Sequence, residues 1–217
     1  ELALGRGFPQ SEAVMFRVQA PDLPLDQTPP RYYWRGRVYD HFEEDQWWTT
    51  GTTLEEYSPA DTISLQPQSN VSDPSLFFFK LGDSPLSLVY TPAQSVWLSR
   101  EGSTRITTTG DYEEATSWYA YPSLLAGEAY QASAVLNNPD IQELRDASTE
   151  YPAWITNKYL QLPDDFSPKI SELALAITAE QDNPYDKAML ITRYLREYIS
   201  YTDTLPETPR HKDSLEW

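Results

Sequence analysis

The run Tyr130-Gln131-Ala132-Ser133-Ala134-Val135-Leu136-Asn137-Asn138-Pro139 decides the fold. Up to Leu136 it reads as a strand. At Asn138-Pro139 an N-cap residue type meets a proline at the first helical position, where the missing N–H costs nothing. The same pairing recurs at Ser167-Pro168 and Asn183-Pro184, so three helix starts are marked independently of any hydrophobic period. The second of these helices carries Ile170, Leu173, Ala174 and Ile177 on one face, and the third carries Ala188, Ile191, Leu195, Tyr198 and Ile199. Asp186 in the first turn of the third suits the positive end of its dipole. A shorter helix is expected over residues 152–158.

Upstream of Leu136 the chain reads as short strands between turn signals. Val14, Phe16 and Val18 alternate to one face. The longest alternating run, residues 32–42, places Tyr32, Trp34, Val38 and Phe42 on one face and Arg35, Arg37 and His41 on the other. Further strands are expected at 76–81, 86–90, 96–98, 105–108, 118–121 and 130–136, with Gly110-Asp111 turning a hairpin. Residues 49–75 are polar, with only 62–65 strand-like, and read as a long mobile surface excursion. The expected core is Val14, Phe16, Val18, Tyr32, Trp34, Val38, Phe78, Leu88, Trp97 and Trp118. The expected fold class is therefore α+β: an N-terminal antiparallel β-sandwich or barrel-like domain over residues 1–136, then a C-terminal group of about three to four helices over 137–217.

Composition narrows the function. With 40% hydrophobic residues among 217, the chain can bury a core. Its net charge of −17 is spread evenly: 8 basic against 18 acidic residues in 1–136, and 8 against 15 in 137–217. No segment offers a basic face to phosphates, which excludes nucleic acid as a partner. There is no cysteine, hence no disulfide, no thiolate nucleophile and no Cys-ligated zinc. No apolar run approaches the roughly 20 residues that span a bilayer, so any membrane contact is expected through parts of the protein outside this stretch.

The chemistry-bearing residue types form no catalytic set. The two histidines, His41 and His211, fall in different expected domains, whereas triad chemistry holds nucleophile, base and orienter together. Asp40, His41, Glu43, Glu44 and Asp45 could supply hard ligands, but their spacing matches no calcium loop and an acidic run is ordinarily a solvated turn. We assign no catalytic residue, no metal and no cofactor. The aromatics of the strands are expected to be mainly core. Trp47 and Trp48 are the exception, because neighbours on a strand face opposite ways and a one-sided sheet cannot bury both. Trp47, Trp48, Tyr33, Arg35 and Arg37 make up the candidate recognition surface.

Two motifs carry a family resemblance. The first is Tyr33-Trp34-Arg35-Gly36-Arg37-Val38-Tyr39-Asp40 followed by Trp47. The second runs through Tyr159-Leu160-Gln161-Leu162-Pro163, Leu173-Ala174, Asn183-Pro184-Tyr185-Asp186-Lys187-Ala188, Tyr194-Leu195-Arg196 and Tyr201-Thr202. In this order they resemble the approach to the catalytic core of bacterial membrane-anchored transglutaminase-like proteins. The chain departs from that pattern at Glu43-Glu44-Asp45-Gln46, where the family has a glycine-containing turn, and residues 49–128 match poorly.

The resemblance implies an extracytoplasmic stretch of a protein anchored in the plasma membrane. It implies that after Asp213-Ser214-Leu215-Glu216-Trp217 come the nucleophilic cysteine and then the histidine and aspartate of a papain-like arrangement. On this expectation the stretch is non-catalytic, and its partner is the C-terminal catalytic core of the same chain. The alternative is an independent β module that binds cell-wall glycan or a protein through exposed aromatics.

Overall fold

The computed structural model describes residues 2–3, 12–21, 32–43, 46–63, 73–109, 112–136, 139–200 and 216. By compactness the chain divides into a β-rich unit, Glu12–Tyr39 with Thr50–Asn138, and a helical unit, Glu1–Ser11 with Asp40–Thr49 and Pro139–Trp217. The division read from the sequence kept 40–49 with the strands; here these residues go with the helices. The described strands in chain order are β1 (Leu2–Ala3), β2 (Phe16–Gln19), β3 (Trp34–Arg35), β4 (His41–Glu43), β5 (Gln46–Trp48), β6 (Thr52–Tyr57), β7 (Ser75–Leu81), β8 (Leu86–Val89), β9 (Thr91–Pro92), β10 (Ser95–Leu98), β11 (Gly102–Thr109), β12 (Tyr112–Leu124) and β13 (Ala129–Ala134). The helices are α1 (Ile141–Asp146), α2 (Ala153–Tyr159), α3 (Pro168–Thr178) and α4 (Pro184–Tyr198). The fold is α+β, with antiparallel sheets and the helices toward the C-terminal end.

In the β-rich unit two four-stranded antiparallel sheets, β10-β13-β7-β2 and β6-β11-β12-β8, share one hydrophobic core. Phe77, Phe79, Leu81, Tyr130 and Ala132 enter it from the first sheet, and Tyr57, Ile106, Trp118 and Leu124 from the second. Each large side chain buried there contributes about 1.5–3 kcal/mol. Phe79 stacks on Tyr130 at 4.7 Å, and Tyr57 meets Trp118 edge-on at the same separation. Both buried phenols are satisfied. Tyr130 donates to Tyr90 O at 2.6 Å, and Tyr57 Oη accepts from Leu98 N at 2.9 Å. Burial pushes both phenol pKa values up. Gly82 and Gly102 permit close backbone approaches: a Cβ would lie 1.7 Å from Val14 O at the first and 1.8 Å from Tyr119 O at the second.

Four strand expectations need correction. Phe78 is 43% exposed, because the inward residues of β7 are 77, 79 and 81. A run of three phenylalanines gives no alternation from which to read the face, so pairing of Phe79 with Val18 and Tyr130 decides it. Val14 is also 43% exposed, since β2 begins only at Phe16. Residues 32–42 are not one strand: β3 pairs with β9, Arg37 bridges to Ser117, and β4 pairs with β5. Finally, the polar stretch 49–75 contains β6, which pairs along β11 from Gly102↔Tyr57 to Thr107↔Thr52, and Ile63 is buried. An edge strand held by backbone bonds with both faces largely polar shows no apolar period. Gly110-Asp111, and residues 64 and 65 of the strand-like 62–65, lie outside the described residues.

In the helical unit β1, β5 and β4 form a small antiparallel sheet. Helices α3 and α4 begin at the Ser167-Pro168 and Asn183-Pro184 signals; Asn183 Oδ1 accepts from Asp186 N at 2.8 Å. The Asn138-Pro139 signal is displaced. The first helix starts two residues later, because Asp140 and Glu143 form a reciprocal capping box that satisfies two backbone donors. Helix α4 packs against both α1 and α3.

Candidate functional site

The five recognition candidates fall in different units. Trp47 and Trp48 lie on β5 of the helical unit and are 38% and 39% exposed; Phe42 covers one side of Trp47 at a ring separation of 5.2 Å. Tyr33, Arg35 and Arg37 lie in the β-rich unit. There the two arginines fasten the segment to β12: Arg35 pairs with Glu114 at 2.9 Å and donates to Ala115 O at 2.8 Å, while the Arg37 guanidinium sits over the Tyr119 ring at 5.8 Å. Both hold a backbone path closed by Val38 N donating to Thr116 O. Tyr33 itself points to solvent, 76% exposed.

A different surface emerges from the helices. Among the described residues every buried hydrophobic side chain belongs to the β-rich unit; the buried residues of the helical unit are Asp40, Ser167 and Thr178, all polar. Its large apolar side chains stand half-buried or exposed. Leu173 is exposed on α3, Leu195 and Tyr198 are exposed on α4, and Ile199 follows at the cap. Leu160 and Leu162, in the loop after α2, are about 60% exposed. The amphipathic pattern of α3 and α4 was legible in the sequence. That Leu160 and Leu162 join the exposed set was not, since a loop has no period to read.

Among the described residues, polar contacts tie the elements of this unit together. Lys158 on α2 reaches Asp40 at 3.2 Å, Gln161 Nε2 donates to Asp40 O at 2.8 Å, and Asp40 N donates to Trp48 O at 2.9 Å. Segment 40–49 is thereby stapled to the α2 end. Arg145 on α1 grips Asp186 on α4 with two nitrogens, Nε at 3.0 Å and Nη2 at 2.9 Å. That grip, with the Asn183 amide, holds the Asp186 carboxyl below its ordinary pKa. Beside it lies an open cleft of about 330 Å³ lined by Arg145, Gln181, Asp186, Met189, Leu190 and Arg193. Glu216 contacts Ser167 and Lys169 at the start of α3, and the lysine holds its carboxyl pKa down.

His41 Nε2 lies 3.4 Å from Glu43 Oε2 on β4, and His211 lies outside the described residues. Among the described residues no group of three or more acidic or histidine side chains could hold a metal ion, and no helix is long and apolar enough to cross a membrane.

No protein-family model matches the chain, and no curated protein sequence does. Two solved structures are similar to it, both of the periplasmic domain of TgpA from Pseudomonas aeruginosa. The first, bound to ethylmercury, has 18% identity and a TM-score of 0.47 over 92% of this chain and 62% of its own. The second has 18% identity and a TM-score of 0.48 over 92% of this chain and 61% of its own. The chain thus spans about three fifths of the length of the structures it matches.

Proposed function

We propose that this chain is the non-catalytic, extracytoplasmic portion of a transglutaminase-like protein anchored in the plasma membrane. Its helical unit forms the outer layer of a papain-like Cys-His-Asp core, and its β-rich unit positions or supports that core. The parent protein is an acyltransferase or a cysteine peptidase. This stretch supplies no thiolate nucleophile, because it has no cysteine.

The observation that carries the reading is that, among the described residues, the helical unit fully buries no apolar side chain. An amphipathic helix gains most of its stability by burying its apolar face. Yet Leu173, Leu195, Tyr198 and Ile199 are each at least 44% exposed. In the proposed parent the cysteine-bearing helix covers this stripe. The motif resemblance from Tyr159 to Thr202 supports the same reading independently of burial.

Hydrogen exchange tests it, run on this chain and on the protein extended past Trp217 as its gene encodes it. We expect the amides of α4 to be protected at least tenfold more in the longer protein. Equal protection in the two would remove the covering element from the account.

A further inference from the structure

The outer face of the sheet β10-β13-β7-β2, in the β-rich unit, has an order that the core does not require. Register places three rows of side chains across it. The first is Trp97, Ser133 and Leu76; the second is Gln131, Phe78 and Gln19; the third is Ala129, Lys80 and Arg17. Successive rows lie roughly 7 Å apart along the strands. The face therefore grades from aromatic and apolar at one end to doubly cationic at the other.

Two features point to a ligand. Lys80 and Arg17 stand directly opposite each other on neighbouring strands, a like-charge arrangement that destabilises a sheet. In a chain of net charge −17, acids to neutralise them are abundant, yet neither cation forms an ion pair or side-chain hydrogen bond among the described residues. Next to them Phe78 is 43% exposed, with a glutamine on each side. Arg17, Gln19, Phe78, Lys80 and Ala129 line a shallow depression of about 260 Å³.

From this arrangement we infer that the face binds an oligosaccharide carrying a carboxylate. The Phe78 ring takes the apolar side of a sugar ring, the amides of Gln19 and Gln131 take its hydroxyls, and Arg17 with Lys80 takes the carboxylate. Charge selects a sparsely charged ligand over a polyanion. The Debye length at physiological salt is about 8 Å, so the two cations act locally, whereas a long polyanion meets the acidic remainder of the surface. An acidic peptide is less suited, because an extended peptide pairs with the backbone edge of β2 and leaves the Phe78 row unused.

The test is calorimetric titration of the intact chain at physiological salt with three probes. These are a tetrasaccharide of alternating N-acetylglucosamine and glucuronic acid, the uncharged N-acetylglucosamine tetramer, and tetraglutamate. We expect the uronate tetrasaccharide to bind best. The double substitution R17Q/K80Q should weaken it at least tenfold, the scale of losing a charge-assisted contact, and bring it level with the neutral tetramer. Phe78→Ala should weaken both sugars. All three side chains are exposed, so folding should survive, with circular dichroism as the check. Absence of binding by the uronate probe, unchanged binding after R17Q/K80Q, or tetraglutamate binding as tightly as the uronate sugar would each overturn the inference.

Discussion

The Lys158 ammonium stands 3.2 Å from the Asp40 carboxylate, whose side chain is 1% exposed. It is the one acidic group among the described residues that the helical unit fully buries. A carboxylate so placed is costly without its cation. Lys158→Met should therefore destabilise the helical unit by about 3 kcal/mol, and D40L/K158M should recover much of that loss. Denaturant unfolding with hydrogen exchange of 40–49 and 153–159 measures it. A larger loss in the double variant than in Lys158→Met would contradict the staple.

The Arg145–Asp186 pair gives a prediction in acid. The folded Asp186 carboxyl titrates below its ordinary value of 3.8, because Arg145 and Asn183 bond its charged form. Its contribution is therefore complete above that value and is lost as the pH falls through the lower, folded one. Amide exchange of Ile141–Asp146, referenced to β13 to remove the intrinsic pH effect, should be constant from neutral pH down to about 4 and should rise below it. Asp186→Asn should give the acid level of exchange at neutral pH. A midpoint above 4 would assign the α1 contact to another group.

The facing of β7 can be tested by two neighbouring substitutions. Phe79 is 1% exposed and Phe78 43%. Phe79→Ala should cost about 3–5 kcal/mol of β-rich unit stability, while Phe78→Ala should stay within about 0.5 kcal/mol. Equal losses in urea unfolding would mean that the register is shifted.

The signals that survived from sequence to structure are those written in local covalent chemistry. Ser167-Pro168 and Asn183-Pro184 open α3 and α4 because a proline at the first helical position acts within one turn, joined at Asn183 by a side-chain cap on Asp186 N. Asn138-Pro139 was overruled by an equally local device, the Asp140–Glu143 capping box. What the sequence hid is set by partners remote in the chain. Phe78 faces outward because of Gln19 and Gln131 on either side of it, and β6 exists because β11 pairs with it. Of the candidate recognition residues, Arg35 pairs with Glu114 and Arg37 sits over Tyr119, both partners on β12 and about eighty positions away in sequence.

In the proposed reading these residues support a transglutaminase-like core without performing its chemistry. The most direct test of that reading is a glutamine-donor assay of amine incorporation and ammonia release, run on this chain, on the protein extended past Trp217, and on the extended protein carrying Leu195→Asp. We expect no turnover by this chain, turnover by the extended protein, and its loss when a charge is set on the α4 stripe. Turnover by this chain at the rate of the extended protein, or full activity of the Leu195→Asp variant, would contradict it.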